Sequence, residues 1–350
     1  MYRVDEFRRR FKGAALITDE KNIYYLTGFT GEGSLVITPS RALIITDFRY
    51  VEQCQRQAPE TEMSCVQANL TRDDIVKKVI IDEGISELFI EDNVLTVQAY
   101  NRLSQKLEGV KLSPIDDTCR KMRVVKSEEE LGYIAKALSI TCQAFENMLG
   151  QLKPGITEKH ARAILEHEMA LCGSEGNAFD TIVASGANGS LPHAVPSDKI
   201  IQSGELVTFD FGATWKGYCA DMTRTVAVGN ISDDLKKIYD AVYTAHMSAL
   251  EAVKPGMVCK DLDAIARNYL EDIYPGAFGH SLGHGVGLNI HESPAVSWRS
   301  DTVLEPGHVI TIEPGVYLPG LGGCRIEDTV FVTENGYKDV CTVSKQLLVV

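Results

Sequence analysis

The sequence predicts an α/β protein of two domains, the second an α+β unit repeated twice. Three observations predict this. The chain has 350 residues, more than the roughly 250–300 at which a single hydrophobic core stops growing. Residues 1–122 alternate short apolar runs with helical patterns, the signature of an α/β layer. The second half contains one passage twice. Ile201-x-x-Gly204-x-Leu206-Val207-Thr208-Phe209-Asp210-x-Gly212 is repeated as Leu304-x-x-Gly307-x-Val309-Ile310-Thr311-Ile312-Glu313-x-Gly315, with an acid at the same place in each.

In the N-terminal domain, strands are expected at Ala14–Ile17, Ser34–Ile37 and Ala42–Ile45. Helices are expected near 50–56, 73–82 and 96–106. The stretch from Asp116 to Lys126 is dense in charge and poor in large apolar residues, and reads as a linker. Ser127 with Glu130 forms a capping box, so a helix should start there and run to Leu149. The second domain, 127–350, then repeats itself in order. Lys153-Pro154-Gly155 closes one helix and Lys254-Pro255-Gly256 closes its counterpart. Lys159, Ala163 and Ile164 match Lys260, Ala264 and Ile265 at the same offsets. Each copy reads as helix, turn, helix, loop with histidine, and two acid-bearing strands.

Composition excludes several classes. The hydrophobic and charged fractions, 44% and 24%, are those of an ordinary globular protein. No apolar run approaches the roughly 20 residues that span a bilayer, and the N-terminus lacks the apolar stretch of a secretion signal. A net charge of −13 opposes nucleic-acid binding, which needs cations against phosphate. Nine cysteines, an odd number without a CxxC pair, point to reduced thiols in the cytoplasm.

The chemistry lies in five residues: Asp210, Asp221, His284, Glu313 and Glu327. In a strand, side chains alternate faces, so Phe209 and Phe211 point one way and Asp210 the other. A buried acid is costly unless it is paired or binds a cation; a salt bridge is the plain alternative for Asp210. Asp221 shares a face with Thr223, and Glu327 with Arg325. His284 lies in the glycine-rich run Gly279–Gly287, where backbone can approach a ligand closely. Two acids from each copy, brought to one centre, repel one another and call for cations. Four carboxylates and an imidazole suit two divalent cations bridged by carboxylates. Two such ions about 3.5–4 Å apart acidify a shared water and polarise a carbonyl, which is metal-assisted hydrolysis. With no thiolate in the set, a structural zinc site is disfavoured.

These residues resemble the dinuclear "pita-bread" metallopeptidases, a family that includes methionine aminopeptidase, aminopeptidase P and prolidase. The ligand order matches in full within Phe209-Asp210-Phe211-Gly212, Ala220-Asp221-Met222-Thr223-Arg224, Gly283-His284-Gly285, Ile312-Glu313-Pro314-Gly315 and Arg325-Ile326-Glu327-Asp328. The resemblance covers 127–350. The N-terminal domain, together with Ser185–His193 and Asn289-Ile290-His291-Glu292, is similar to the Xaa-Pro branch, whose N-terminal domain is creatinase-like. The resemblance implies two divalent cations per chain, with manganese first and cobalt, zinc or iron as alternatives. It implies Glu313 as ligand and general base, and His193 and His291 approaching the substrate from opposite copies as His193-x-x-Pro196 and His291-x-x-Pro294. His280 is a third candidate histidine. Arg325 would orient Glu327 or bind a substrate carboxylate. Arg49 and Tyr50 read as surface or packing residues.

The activity implied is release of an N-terminal residue that precedes proline, by a cytoplasmic homodimer acting on small peptides. A methionine-type or broad-specificity aminopeptidase is the nearest alternative, weakened by the N-terminal domain. A creatinase-like amidinohydrolase works without metals, and a partner-binding pseudoenzyme loses ligands; this chain keeps all five.

Overall fold

The computed structural model of the chain describes residues 2–350 and divides after Met122 into two units. The N-terminal unit is one mixed six-stranded sheet. Its order is Glu62–Cys65, Ala42–Thr46, Ser34–Ile37, Ala14–Ile17, Glu87–Ile90 and Lys111–Pro114. The two central antiparallel pairings join Ala42–Thr46 to Ser34–Ile37 and Ser34–Ile37 to Ala14–Ile17; the outer pairings are parallel. The three expected strands are present and wholly buried, as continuous apolar runs in a covered sheet should be. The expected linker differs from the structure: Thr118–Val124 is a helix. Its apolar positions are few, but Cys119, Met122 and Arg123 recur at helical spacing and are all buried.

The second unit contains the duplication. The first copy contributes helices Glu128–Leu149 and Glu158–Leu171, then a three-stranded sheet ordered Met222–Val228, Glu205–Phe211, Ile182–Ser185. The second contributes helices Asp233–Ala252 and Cys259–Ile273, then a five-stranded sheet. Its order is Glu292–Val296, Gly283–Gly285, Val309–Ile312, Asp328–Thr333 and Gly336–Asp339. Hairpins Thr214–Trp215 with Tyr218–Cys219, and Gly315–Leu318 with Gly322–Arg325, occupy matching places in the two copies. Ser127 caps the first long helix, and Glu130 returns the bond to the Ser127 backbone. That helix buries Phe145 against Phe209 and Phe211, which fixes the face of the Glu205–Phe211 strand and leaves Asp210 on the other. In the second copy Ile238, Val242, Ala245 and Ala249 of the Asp233–Ala252 helix pack on Ile310, Ile312 and Val330.

The copies meet through two strands. Glu327 N–H donates to the Thr223 carbonyl at 3.0 Å, and Thr329 Oγ1 donates to the Asp221 carbonyl at 2.8 Å. Acid-bearing ends from both sheets are thereby drawn together.

Candidate metal centre

The sheets bring Asp221, His284 and Glu327 close enough for one ligand atom from each to lie within 4.8 Å of the others. Glu313 adjoins them: His284 Nε2 lies 3.4 Å from both Asp221 Oδ2 and Glu313 Oε1. The other ring nitrogen, Nδ1, is 3.0 Å from the Gly285 carbonyl. A carbonyl can only accept, so Nδ1 carries a proton there and Nε2 faces the carboxylates. A side chain at Gly283 would run into the Thr311 carbonyl, and one at Gly212 into that of Ala220. These glycines let the His284 and Asp210 strands pack closely on their neighbours.

Thr223 Oγ1 donates to Glu327 Oε2 at 2.7 Å. The other oxygen, Glu327 Oε1, and Asp210 Oδ1 are both buried without a hydrogen-bond partner among the described residues. Buried acceptors are almost always satisfied. Two buried carboxylate oxygens left bare, one on each copy, therefore fit a cation. The ionisation of the cluster agrees. Burial, then the neighbouring Asp210 charge, pushes Asp221 up to about 6 against the pull of His284. Burial, with the negative charges of Asp221 and Asp210, pushes Glu313 up to about 7. Glu327 is raised as well, by burial and then by the charges of Asp221 and Glu313. For His284 burial acts downward, but the Asp221 hydrogen bond and the Glu313 charge raise it to about 9. A divalent cation would replace the protons that these groups otherwise hold.

Asp210 forms an ion pair with an arginine. Arg325 Nη2 donates to Asp210 Oδ2 at 2.6 Å. Arg325 thus pairs with Asp210 directly and reaches Glu327 through Thr223. Its Nε reaches Thr223 Oγ1 at 3.2 Å, and Nη1 reaches Tyr317 OH at 2.8 Å and the Pro192 carbonyl at 3.2 Å. Arg325 is 4% exposed, so its donors are committed inside the protein.

Tyr317 did not stand out in the sequence. Its position was legible: in an extended chain it follows Glu313 by two periods of two and returns to the same side. The Tyr317 hydroxyl lies 2.8 Å from His280 Nε2, and His280 Nδ1 lies 2.8 Å from the Ser281 carbonyl. Since that carbonyl accepts from Nδ1, Nε2 of the neutral ring accepts from Tyr317, which in turn accepts from Arg325. Burial, aided by the Arg325 charge, pushes His280 down to about 4, which keeps the ring neutral. His280 thus lies behind Tyr317.

His291 and His193 are exposed. The His291 ring packs edge-to-face on His284 with centroids 4.4 Å apart, and burial followed by the His284 charge lowers its pKa. His193 follows Pro192, whose carbonyl is held by Arg325. Two buried acids fasten these histidine loops. Glu158 accepts from the Ser185 and Ser197 amides, at 2.7 and 3.0 Å, from both hydroxyls and from Asn188 Nδ2. Glu292, beside His291, accepts from Arg123, from Lys126 Nζ at 3.3 Å and from Asn289 N–H at 2.9 Å.

A buried cluster of acids around one imidazole, at the junction of two copies of one α/β unit, defines a metallohydrolase. The comparisons give the family. Residues 132–334 match the model of metallopeptidase family M24, and residues 4–125 match the creatinase/prolidase N-terminal domain. The chain belongs to metallopeptidase family M24 and is a metallo-exopeptidase that depends on divalent metal. It is 44% identical over 341 residues to an uncharacterized peptidase of Bacillus subtilis, YqhT, covering 95% of each chain. An Xaa-Pro dipeptidase from Bacillus anthracis superposes with a TM-score of 0.96 at 40% identity, over 99% of both chains. An X-Pro aminopeptidase from Thermotoga maritima superposes with a TM-score of 0.93 at 38% identity, over 99% of this chain and all of that one.

Proposed function

We propose that this protein hydrolyses the bond before proline and releases the N-terminal residue of short peptides, using two divalent cations, manganese first among them. The observation that carries the reading is the pair of buried carboxylate oxygens, one on Asp210 and one on Glu327, that have no hydrogen-bond partner among the described residues. In this reading Asp210, Asp221, His284, Glu313 and Glu327 hold the metals, with His284 offering Nε2. Bound there, the cations supply Lewis acidity toward the scissile carbonyl and acidify water.

The remaining roles fall to the chain itself. Glu313 takes the proton of the attacking water and returns it to the leaving nitrogen. One of its oxygens is 3.3 Å from Thr311 Oγ1, which holds the carboxylate in place. His193 and His291, the exposed histidines of the two copies, donate to the developing oxyanion or the departing nitrogen. Arg325 acts on Asp210 and Tyr317, and His280 acts through Tyr317.

Proline has no N–H and a fixed φ, so a site that accepts it needs a wall for the ring and no N–H acceptor. The loops around His193 and His291 supply that wall. Two structural relatives carry the names dipeptidase and aminopeptidase, which differ in the length of peptide. The test is product analysis on Xaa-Pro, Xaa-Pro-Yaa and Xaa-Ala-Yaa at matched concentrations. We expect Xaa release from the proline peptides and much slower cleavage of the alanine peptide. Equal or faster cleavage of Xaa-Ala-Yaa would make this a broad-specificity aminopeptidase on the same centre. In this reading it acts in the cytoplasm as a homodimer, which the free cysteines and the family resemblance support. Among the described residues no helix is long and apolar enough to cross a membrane.

A further inference from the structure

Three sulfur atoms meet apart from the carboxylate cluster. Cys142 lies on helix Glu128–Leu149, Met222 opens strand Met222–Val228, and Cys341 follows strand Gly336–Asp339 in irregular chain. The Cys142 and Cys341 Sγ atoms are 3.5 Å apart. Met222 Sδ is 3.1 Å from Cys341 Sγ and 4.0 Å from Cys142 Sγ. Arg224, buried beside them, places Nη2 at 3.2 Å from Cys341 Sγ. The same guanidinium donates to the Val343 and Ser344 carbonyls, and to Asp328 and the Glu327 carbonyl. It therefore joins the C-terminal segment to Glu327 and to the start of strand Asp328–Thr333. That segment goes on to bond strand Met222–Val228, with Ala227 N–H to the Leu348 carbonyl at 2.8 Å and Val350 N–H to the Ala227 carbonyl at 2.9 Å.

Core cysteines are usually protonated and inert. Here two thiols touch next to a fixed cation. The two sulfurs share one hydrogen bond, and the Arg224 guanidinium against Cys341 Sγ favours negative charge on that sulfur.

We propose that Cys142 and Cys341 form a peroxide-sensitive dithiol that closes to a disulfide and fastens the C-terminal segment to the first long helix. Cys341, 9% exposed against 2% for Cys142, reacts first. Its thiolate attacks one oxygen of hydrogen peroxide. The S–O bond forms, the O–O bond breaks and hydroxide leaves. Cys142 sulfur then attacks the sulfenic sulfur. The S–S bond forms, the S–O bond breaks, and the departing oxygen takes the Cys142 proton to leave as water. Two electrons pass from the sulfurs to peroxide. Closing from contact to a bond of about 2.05 Å needs only a small shift, and Cys341 lies in irregular chain that can supply it.

The test exposes the manganese-loaded protein to hydrogen peroxide and maps its peptides without reduction. The expected product is a Cys142–Cys341 linked peptide two hydrogens lighter. A thermal midpoint higher by on the order of 5 °C should accompany it, since the link spans 199 residues, and dithiothreitol should reverse both. Cys341→Ser and Cys142→Ala should each lose both effects. Oxidation that stops at a Cys341 sulfinic acid or a Met222 sulfoxide without the link would overturn the proposal. So would a link that forms only in unfolded protein.

Discussion

Glu327 and Thr223 show the chemistry at the scale of single residues. Thr223 Oγ1 holds one Glu327 oxygen at 2.7 Å and receives Arg325 Nε at 3.2 Å, while the other Glu327 oxygen has no hydrogen-bond partner among the described residues. Deleting the proposed ligand and deleting its support should therefore differ in degree. Glu327→Ala should lose one or both metals by elemental analysis and slow hydrolysis by orders of magnitude, with the fold retained. Near-normal turnover with two metals per chain would remove Glu327 from the ligand set. Thr223→Val keeps the ligand but frees it, and should weaken metal affinity about 10–100-fold, the usual effect of losing a group that orients a ligand. Isothermal titration with manganese measures it, and unchanged affinity would deny Thr223 that role.

Among the elements, the loop between Ser185 and Ser197 depends on Glu158. That carboxylate is fully buried, and burial alone would raise its pKa. The hydrogen bonds from Ser197 and Ser185 outweigh burial and lower it. A depressed carboxyl contributes stability that is present above its ordinary value and lost as pH falls through the lower one. Glu158→Gln turns an acceptor into a donor facing donors, at a cost of about 1–3 kcal/mol. It should also expose 186–197 to limited proteolysis and raise KM through His193; resistance to proteolysis with unchanged KM would refute the clamp. Elements of this kind differ in how well they read from sequence. The helix from Glu128 and the strand Ala14–Ile17 were legible because cap, period and burial agree. Glu62–Cys65 and Lys111–Pro114 were not: they are edge strands, with polar residues facing water. The helix Thr118–Val124 was hidden by its charges. The four candidate carboxylate ligands stand out because the duplication repeats their places, and His284 because of the glycines around it. The Arg325–Asp210 pair and the Tyr317–His280 bond were not, because they depend on how the hairpin Gly315–Leu318 folds back on the loops.

For the whole molecule, the cluster ties stability to metal and pH. Asp221 and Glu313 are raised to about 6 and about 7, so between ordinary carboxylate values and these the folded metal-free protein binds more protons than the unfolded chain. His284, raised to about 9, keeps a stabilising proton until pH rises through that value. All three shifts have one sign: metal-free stability supplied by the site falls as pH rises from about 4 to 9. Cations replace the protons, so the gain in thermal midpoint on adding manganese should grow from pH 5.5 to pH 8. A gain that is flat, or larger at the acidic end, would contradict this ionisation of the cluster. The central claim is that the carboxylate cluster hydrolyses peptides only with its cations in place. The most direct measurement strips the metal with a chelator, verifies its removal by elemental analysis, and follows Xaa-Pro-Yaa hydrolysis as manganese is returned. The account predicts no hydrolysis in the stripped protein and recovery that saturates at two ions per chain; full activity in verified metal-free protein would contradict it.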